Sequence, residues 1–372
     1  MSSAQRFFEQ LVEPADIRIG GERPWDVRVH DDRLLHRVLA TGTLGLGEAY
    51  MDGWWDCDAI DEMVDRAQRA DAVARFRSPL TLVQVAESKL RNRQAQSRSF
   101  TVGERHYDIG NDLYERMLDP KMIYSCGYWK AADDLEAAQE AKLDLVANKL
   151  GLEQGMRVLD IGCGWGGAAH YFSQRFGCEV VGVTVSHEQV RLARERSHDL
   201  PVEIRVQDYR DVDERFDRIY SIGMFEHVGS RNYATYMQVV RRCLADADGL
   251  SLLHTIGGLR SKRSTDPWIE RHIFPNSMLP SAAQITEACE GQLVIEDWHN
   301  FGADYDPTLM AWHANLIPVW DDLPDYDERF RRMWRYYLLT SAGSFRARRL
   351  QLWQIVFSRD GLSDAYRPSG IR

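Results

Sequence analysis

The chain has 372 residues, 44% apolar and 27% charged, and its 46 Lys and Arg against 56 Asp and Glu give a formal net charge of −10. This composition excludes a disordered or fibrous chain and suits two domains, or one large domain with an appendage. An acidic total argues against a nucleic-acid partner, and none is expected.

No run approaches the roughly 18–20 consecutive apolar residues of a membrane-spanning helix. The opening MSSAQRFFEQ lacks the basic flank and apolar stretch of a secretory signal. Six cysteines without a CxxC pair give no zinc or redox motif, so no metal is expected. These features predict a soluble, cytoplasmic protein with reduced thiols.

Residues 1–95 read as a small, mainly helical N-terminal domain. Turns at Gly20-Gly21 and Arg23-Pro24 lead to helical patterning over 32–40 and then to the alternating glycines of 42–55. No strand precedes those glycines and no Lys-Ser/Thr follows, which favours a structural turn feeding a short helix over a phosphate loop. Residues 59–92 look helical, and 89–100, basic and without an acid, read as a polar linker. Residues 96–134 are expected to form a linker and cofactor-lid segment.

From 135 the pattern changes. A helix capped by Asp133-Asp134 runs to Gly151, and β-runs at 157–161, 179–184, 202–206, 217–223 and 249–256 alternate with amphipathic helices. Later β-runs at 293–298 and 352–357 can complete the sheet. The alternation predicts an α/β catalytic domain over 135–372, a doubly wound Rossmann-like sheet with helices on both faces.

The first βα turn reads Val158-Leu-Asp-Ile-Gly-Cys-Gly-Trp-Gly-Gly167. Gly162, Gly164 and Gly167 satisfy the spacing of a dinucleotide site, but Asp160 precedes them and the second strand ends on Thr184, where a nicotinamide enzyme offers an acid. The acid-then-glycine turn resembles the first motif of S-adenosylmethionine-dependent methyltransferases. That resemblance places Asp160, Gly162, Cys163, Gly164 and Gly166 against the cofactor. Thr184, Ser186 and Gln189 would serve its polar groups in place of the usual acid. Asp208 and Tyr209, just past the third strand, would meet the adenine; the alternative for Asp208 is a turn residue.

Further blocks carry a narrower likeness. His106-Tyr-Asp-Ile-Gly-Asn-Asp-Leu-Tyr114, Tyr124-Ser-Cys-Gly-Tyr-Trp129, Phe225-Glu-His-Val-Gly229, Leu253-His-Thr-Ile-Gly257 and Asn300-Phe-Gly-Ala-Asp-Tyr-Asp306 occur in that order, after Tyr50-Met-Asp-Gly-Trp-Trp-Asp56. Together they resemble the cyclopropane-fatty-acyl-phospholipid synthases along nearly the whole chain. The resemblance implies methylene transfer from S-adenosylmethionine to the cis double bond of unsaturated phospholipid acyl chains. It also implies a homodimer and peripheral association with the inner membrane.

It implies as well a bicarbonate ion acting as base, held by the backbone amides of Cys126 and Ile256, by His254 and Tyr305 as donors, and by Glu226. Tyr124 and Ser125 would close over the cofactor. Read without the family, Cys126 is a core thiol, His254 a satisfied core histidine and Tyr305 a core filler. Trp129 and Trp165 are open between core, cofactor packing and substrate wall. His313 stands where relatives have tyrosine and is expected to alter acyl-chain preference.

Between Arg329 and Arg359 lie eight arginines, no acid and several aromatics, a pattern suited to an anionic lipid surface. The other reading is core packing and pairing with acids. The competing functions are a lipid C-methyltransferase giving a methyl-branched or hydroxylated product, and an inactive cofactor-binding lipid sensor.

Overall fold

In the computed structural model the described residues are 3–72, 110–245, 248–262 and 264–368, so the basic stretch 89–100 lies outside them. The chain forms two compact units. The first draws on residues within Met1–Arg91, Arg263–Pro275 and Tyr305–Leu350, and the second on Asn92–Lys262, Asn276–Asp304 and Gln351–Arg372. Residues 263–275 and 305–350, which the sequence pattern assigns to the catalytic domain, thus fold with the N-terminal residues.

The first unit is helical apart from a short pair of strands, β1 (Arg28–Val29) and β2 (Trp55–Asp56). Gly42, with φ +66°, is the turn that feeds the short helix Thr43–Met51, as expected, while Gly45 and Gly47 lie inside that helix. The reason is close approach: a Cβ on Gly47 would run into the indole of Trp268. Around it Tyr50, Trp55, Trp268 and Tyr336 pack edge to face or tilted, with ring centroids 4.7–6.2 Å apart, a geometry that adds to their buried area.

The long helix Glu328–Arg346 explains why 305–350 belongs here. Its apolar face buries Met333, Trp334, Tyr336, Tyr337 and Phe345, and its arginines find acids distant in sequence. Arg329 pairs with Asp52 at 2.9 Å and Arg332 with Asp56 at 2.7 Å. Arg346 reaches Asp61 at 2.7 Å and Asp306 at 2.8 Å, and Arg349 meets Asp71 at 2.6 Å. Arg331 holds the carbonyl of Trp320, and Arg335 the carbonyl of Asp58. The reading of 329–359 as a lipid-facing patch therefore gives way to a structural one, because most of these cations are already committed within the unit.

The second unit is a seven-stranded sheet. Its strands are β3 (Arg157–Ile161), β4 (Glu179–Thr184), β5 (Val202–Val206), β6 (Arg218–Ile222), β7 (Leu250–Gly258), β8 (Val294–Asn300) and β9 (Leu350–Ser358), in the order β5-β4-β3-β6-β7-β9-β8. The pairs β3/β4, β4/β5, β3/β6 and β6/β7 are parallel, and β8 runs antiparallel to β9. Alternate residues feed opposite faces: Leu159 and Ile161 enter one core cluster, while Val158 enters the other.

The helix Leu135–Leu150 starts at Asp134, whose side chain accepts from Ala137 N at 2.8 Å, and stops at Gly151 with φ +57°. The strand order reverses between β3 and β6, so a crevice is expected at their carboxyl ends.

Gly343, near the C-terminal end of the long helix, faces the backbone carbonyl of Asp61 in the helix Ile60–Arg69, with no room for a Cβ. Gly343→Ala should force the two helices apart and cost about 2 kcal/mol. A fall of several degrees in the melting temperature of the full chain checks this.

Candidate active site

The glycine turn fills the crevice where β3 meets its helix. Gly162 N and Cys163 N both donate to the carbonyl of Val183, at 2.9 and 3.1 Å, which pins the turn to β4. Gly162 has φ +86° and a Cβ there would stand 2.7 Å from Met224; a Cβ on Gly167 would meet the carbonyl of Lys121. Only glycine lets the 119–127 segment and the β6 loop close on the turn.

An aromatic wall stands beside it. Tyr114 packs on Tyr124 and on Trp165 with centroids 5.2 and 4.9 Å apart, and Trp165 Nε1 donates to Asn111 Oδ1 at 3.0 Å. Trp165 therefore packs at the glycine turn.

The next strand ends carry the polar residues expected for a cofactor. Thr184 Oγ1 donates to Gln189 Oε1 at 2.9 Å and accepts from Ser186 N at 3.3 Å, while Ser186 Oγ accepts from Gln189 N. These three side chains form one buried network in place of the acid usual at that position. Asp208 caps the turn Tyr209–Asp211, accepting from Arg210 N at 3.0 Å and pairing with the Arg210 guanidinium at 2.5 Å. It thus fills the turn role that was its alternative. Tyr209 lies beside Tyr236.

Just past the end of β6 and midway along β7 lie the two buried groups that matter most. β6 pairs with β7 so that Ile222 is opposite His254, and Gly223 N donates to the carbonyl of His254 at 3.0 Å. Glu226, in the turn Phe225–His227, accepts from Ile256 N on Oε1 at 2.7 Å; its Oε2 is buried without a partner. Burial pushes its pKa up from 4.5 to about 7.

His254 is 1% exposed, and its Nδ1 lies 3.3 Å from Gln354 Nε2. With that amide donating, Nδ1 accepts and the neutral ring carries its proton on Nε2, which has no partner. Burial, then the charges of Lys142 and Lys149, hold the His254 pKa well below 6.5. Two orphaned polar atoms thus lie one in the turn after β6 and one midway along β7, each costing about 1–3 kcal/mol until it is met.

Ser125 and Cys126 come over the end of β6: a Cβ on Gly223 would be 3.9 Å from that of Ser125. Cys126 is a buried thiol whose Sγ donates to the carbonyl of Gly127 at 3.1 Å. The amide of Ile256, expected to meet an ion directly, is given to Glu226, so its influence passes through that carboxylate. Asp160 is buried at the end of β3, accepts from Tyr220 Oη at 2.8 Å, and has its pKa pushed up to about 7 by burial.

Tyr305 belongs to the first unit, where it opens the helix Tyr305–Leu316 and stacks on Phe345 at 4.4 Å. The residue before it, Asp304, belongs to the second unit and accepts from Trp129 N at 2.7 Å. His313 is half-buried on the same helix as Tyr305, and burial lowers its pKa.

Sequence reasoning missed Gln139, Lys142, Gln354 and Tyr220, all fully buried. For the first two a signal existed: polar residues at an i, i+3 spacing on the face that also carries Leu143 and Val146. Among the described residues no group of three or more His, Cys, Asp or Glu is placed to hold a metal.

Residues 94–355 match the family described as mycolic acid cyclopropane synthetase. The chain is 52% identical, over 95% of its length and 93% of the relative's, to the cyclopropane-fatty-acyl-phospholipid synthase of Escherichia coli (strain K12). It is 32% identical to the tuberculostearic acid methyltransferase UfaA1 of Mycobacterium tuberculosis, over 89% of this chain and 82% of that one. The structure of the mycolic acid cyclopropane synthase CmaA1 complexed with SAH and CTAB superposes with a TM-score of 0.64 at 31% identity, covering 69% of this chain and 97% of that chain.

A carboxyl group whose folded pKa lies above its unfolded value of 4.5 stabilises the fold least when ionised, so its contribution is lost as pH rises through about 7. Glu226→Gln keeps the acceptor for Ile256 N and removes the charge. It should leave the melting temperature nearly unchanged at pH 5 and raise it at pH 8, by up to about 3 kcal/mol of stability. Thermal melts at the two pH values check the sign.

Proposed function

The chain belongs to the mycolic acid cyclopropane synthetase family, and we infer that it is a cyclopropane synthase of phospholipid acyl chains. It transfers a methylene group from S-adenosyl-L-methionine to the cis double bond of an unsaturated chain. The observation that carries this reading beyond the family is the pair of unpartnered atoms, Glu226 Oε2 and His254 Nε2, beside a methyltransferase glycine turn.

The chemistry explains the design. S-adenosylmethionine supplies an electrophilic methyl group, and an alkene is so weak a nucleophile that catalysis rests on holding the two together. The closely packed turn at Gly162 and Gly167, with Tyr114, Tyr124 and Trp165 beside it, gives rigid walls for that task. We assign Asp160, Gly162, Cys163, Gly164 and Gly166, with Thr184, Ser186, Gln189, Asp208 and Tyr209, to the cofactor side, and Tyr124 and Ser125 to its cover.

Positive charge develops on the acyl chain and a proton must then leave. Water has to be excluded meanwhile, which suits groups as buried as Glu226 and His254. The same residues fit a bicarbonate ion. His254 Nε2–H is a donor without an acceptor, and Glu226, with its pKa near 7, can present a proton on Oε2 to an anion. Bicarbonate supplies the base for the departing proton. Cys126 borders this site through Ser125, and Ile256 orients Glu226. The role of Tyr305 as a further donor is proposed on the likeness of its Ala303-Asp-Tyr-Asp306 motif.

The substrate lies in a bilayer, and no helix among the described residues is long and apolar enough to cross a membrane. We therefore propose a cytoplasmic protein that meets the inner membrane peripherally, as a homodimer with the first unit as a participant.

One assay tests the reaction. The protein, S-adenosylmethionine, bicarbonate and monounsaturated phospholipid vesicles should yield acyl chains gaining one methylene and losing the double bond, identified by mass spectrometry. A methyl-branched or hydroxylated product would instead favour the methyltransferase alternative. Glu226→Gln and Tyr305→Phe should each lower turnover by about 100-fold or more while S-adenosylhomocysteine binding remains measurable. Normal turnover in both would refute the assignment.

A further inference from the structure

The helix Leu135–Leu150 sends two buried polar side chains towards the segment that covers the strand ends. Gln139 Nε2 donates to the carbonyl of Ser125 at 2.8 Å and to that of Ile123 at 3.4 Å. One turn later Lys142, with no exposed surface, donates from Nζ to Ser125 Oγ at 2.9 Å. Both bonds end on the residue before Cys126.

The second bond is unusual in its partner. A buried ammonium is ordinarily matched by a carboxylate, because desolvating an unpaired charge costs several kcal/mol or more. The other lysine buried this deeply among the described residues, Lys149, follows that rule and pairs with Asp297 at 2.9 Å. Lys142 bonds a neutral hydroxyl.

The titratable groups that face it are Asp119 from the loop after the helix Asn111–Met117, Cys126, Asp160 at the end of β3, and His254 on β7. Both carboxylates are engaged elsewhere. Asp119 accepts from Ile123 N at 2.9 Å and Lys121 N at 3.1 Å, and Asp160 from Tyr220 Oη. Burial pushes the Lys142 pKa down to about 8, which leaves it cationic at neutral pH. Lys142 thus has no carboxylate hydrogen-bonded to it, and its charge bears on His254, whose Nε2 lacks a partner.

We propose that Lys142 is a positioning residue for the anion site: through Ser125 it fixes the segment bearing Cys126, and its charge is the counter-charge that lets a monoanion settle beside Glu226. The inference rests on the bicarbonate reading above and assigns the cation which that reading requires.

The test uses the full chain saturated with S-adenosylhomocysteine. Its melting temperature is followed during titration with sodium bicarbonate, against sodium chloride at matched ionic strength, since a ligand of the folded state stabilises it. Wild type should show a saturable, bicarbonate-specific rise. In Lys142→Met the midpoint should move up at least about tenfold, with S-adenosylhomocysteine affinity kept within about threefold. Lys142→Arg, which retains charge, should recover most of the midpoint.

Ser125→Ala covers the case in which the lysine variants fail to fold: it keeps the charge but cuts the tie to the segment bearing Cys126, and should raise the bicarbonate midpoint by about threefold or more. A wild type blind to bicarbonate removes the ion and this role together. A wild-type shift that Lys142→Met reproduces unchanged leaves the ion in place and overturns the role of Lys142 alone. An unchanged bicarbonate midpoint in Ser125→Ala overturns the positioning half.

Discussion

The exclusion of water from the ends of β3 and β6 and the middle of β7 governs how each ionisable group there behaves. Asp160 and Glu226 are both pushed up to about 7 by burial, and His254 is pushed the other way, so desolvation drives acid and base alike towards their neutral forms. Lys142 keeps its charge at neutral pH. An interior arranged in this way is poorly matched to itself and well matched to a small anion. The orphaned atoms of Glu226 and His254 make the same point from hydrogen bonding.

The strands dictate where this happens. Because the order reverses at β3 and β6, the helices that follow them leave opposite faces and the turns splay apart. The glycine turn with Asp160 occupies one side of that opening, and the turn with Glu226 the other. β7 adds His254 one hydrogen-bonded position away, and β9, on its far side, supplies Gln354 to fix the imidazole. Four contributions from separated parts of the chain converge without a long loop being needed to bring them together.

Local signals survived translation into structure where the physics is local. The acid-glycine turn, the Asp134 cap, the Gly151 stop and the period-two strands depend on residues within a few positions of one another. Glu226 and His254 could be singled out because the blocks Phe225–Gly229 and Leu253–Gly257 resemble the family's motifs. What could not be read is what depends on distant partners. The acid-free arginine segment looked like a lipid-facing patch because Asp52, Asp56, Asp61 and Asp71, which pair with half of its arginines, lie more than 250 residues earlier. The place of Gly47 inside the helix Thr43–Met51 was hidden for the same reason, since it is set by the indole of Trp268. Likewise, nothing near Ile256 in the chain announces that its amide serves Glu226.

The coupling between proton and anion follows from these contacts. Glu226 lies close to its own midpoint at neutral pH, and an anion placed against its Oε2 must raise its pKa further, because like charges in a dry site repel strongly. Occupation of the site and protonation of Glu226 therefore favour each other. In the proposed bicarbonate site the carboxyl would then become a donor to the ion, joining His254 Nε2–H, while Oε1 keeps its bond from Ile256 N. This resolves the apparent contradiction of a glutamate in an anion site. Burial prepares Glu226 to hold a proton, and the cation at Lys142 accounts for the ion's charge, so the two negative groups never have to coexist ionised at contact distance.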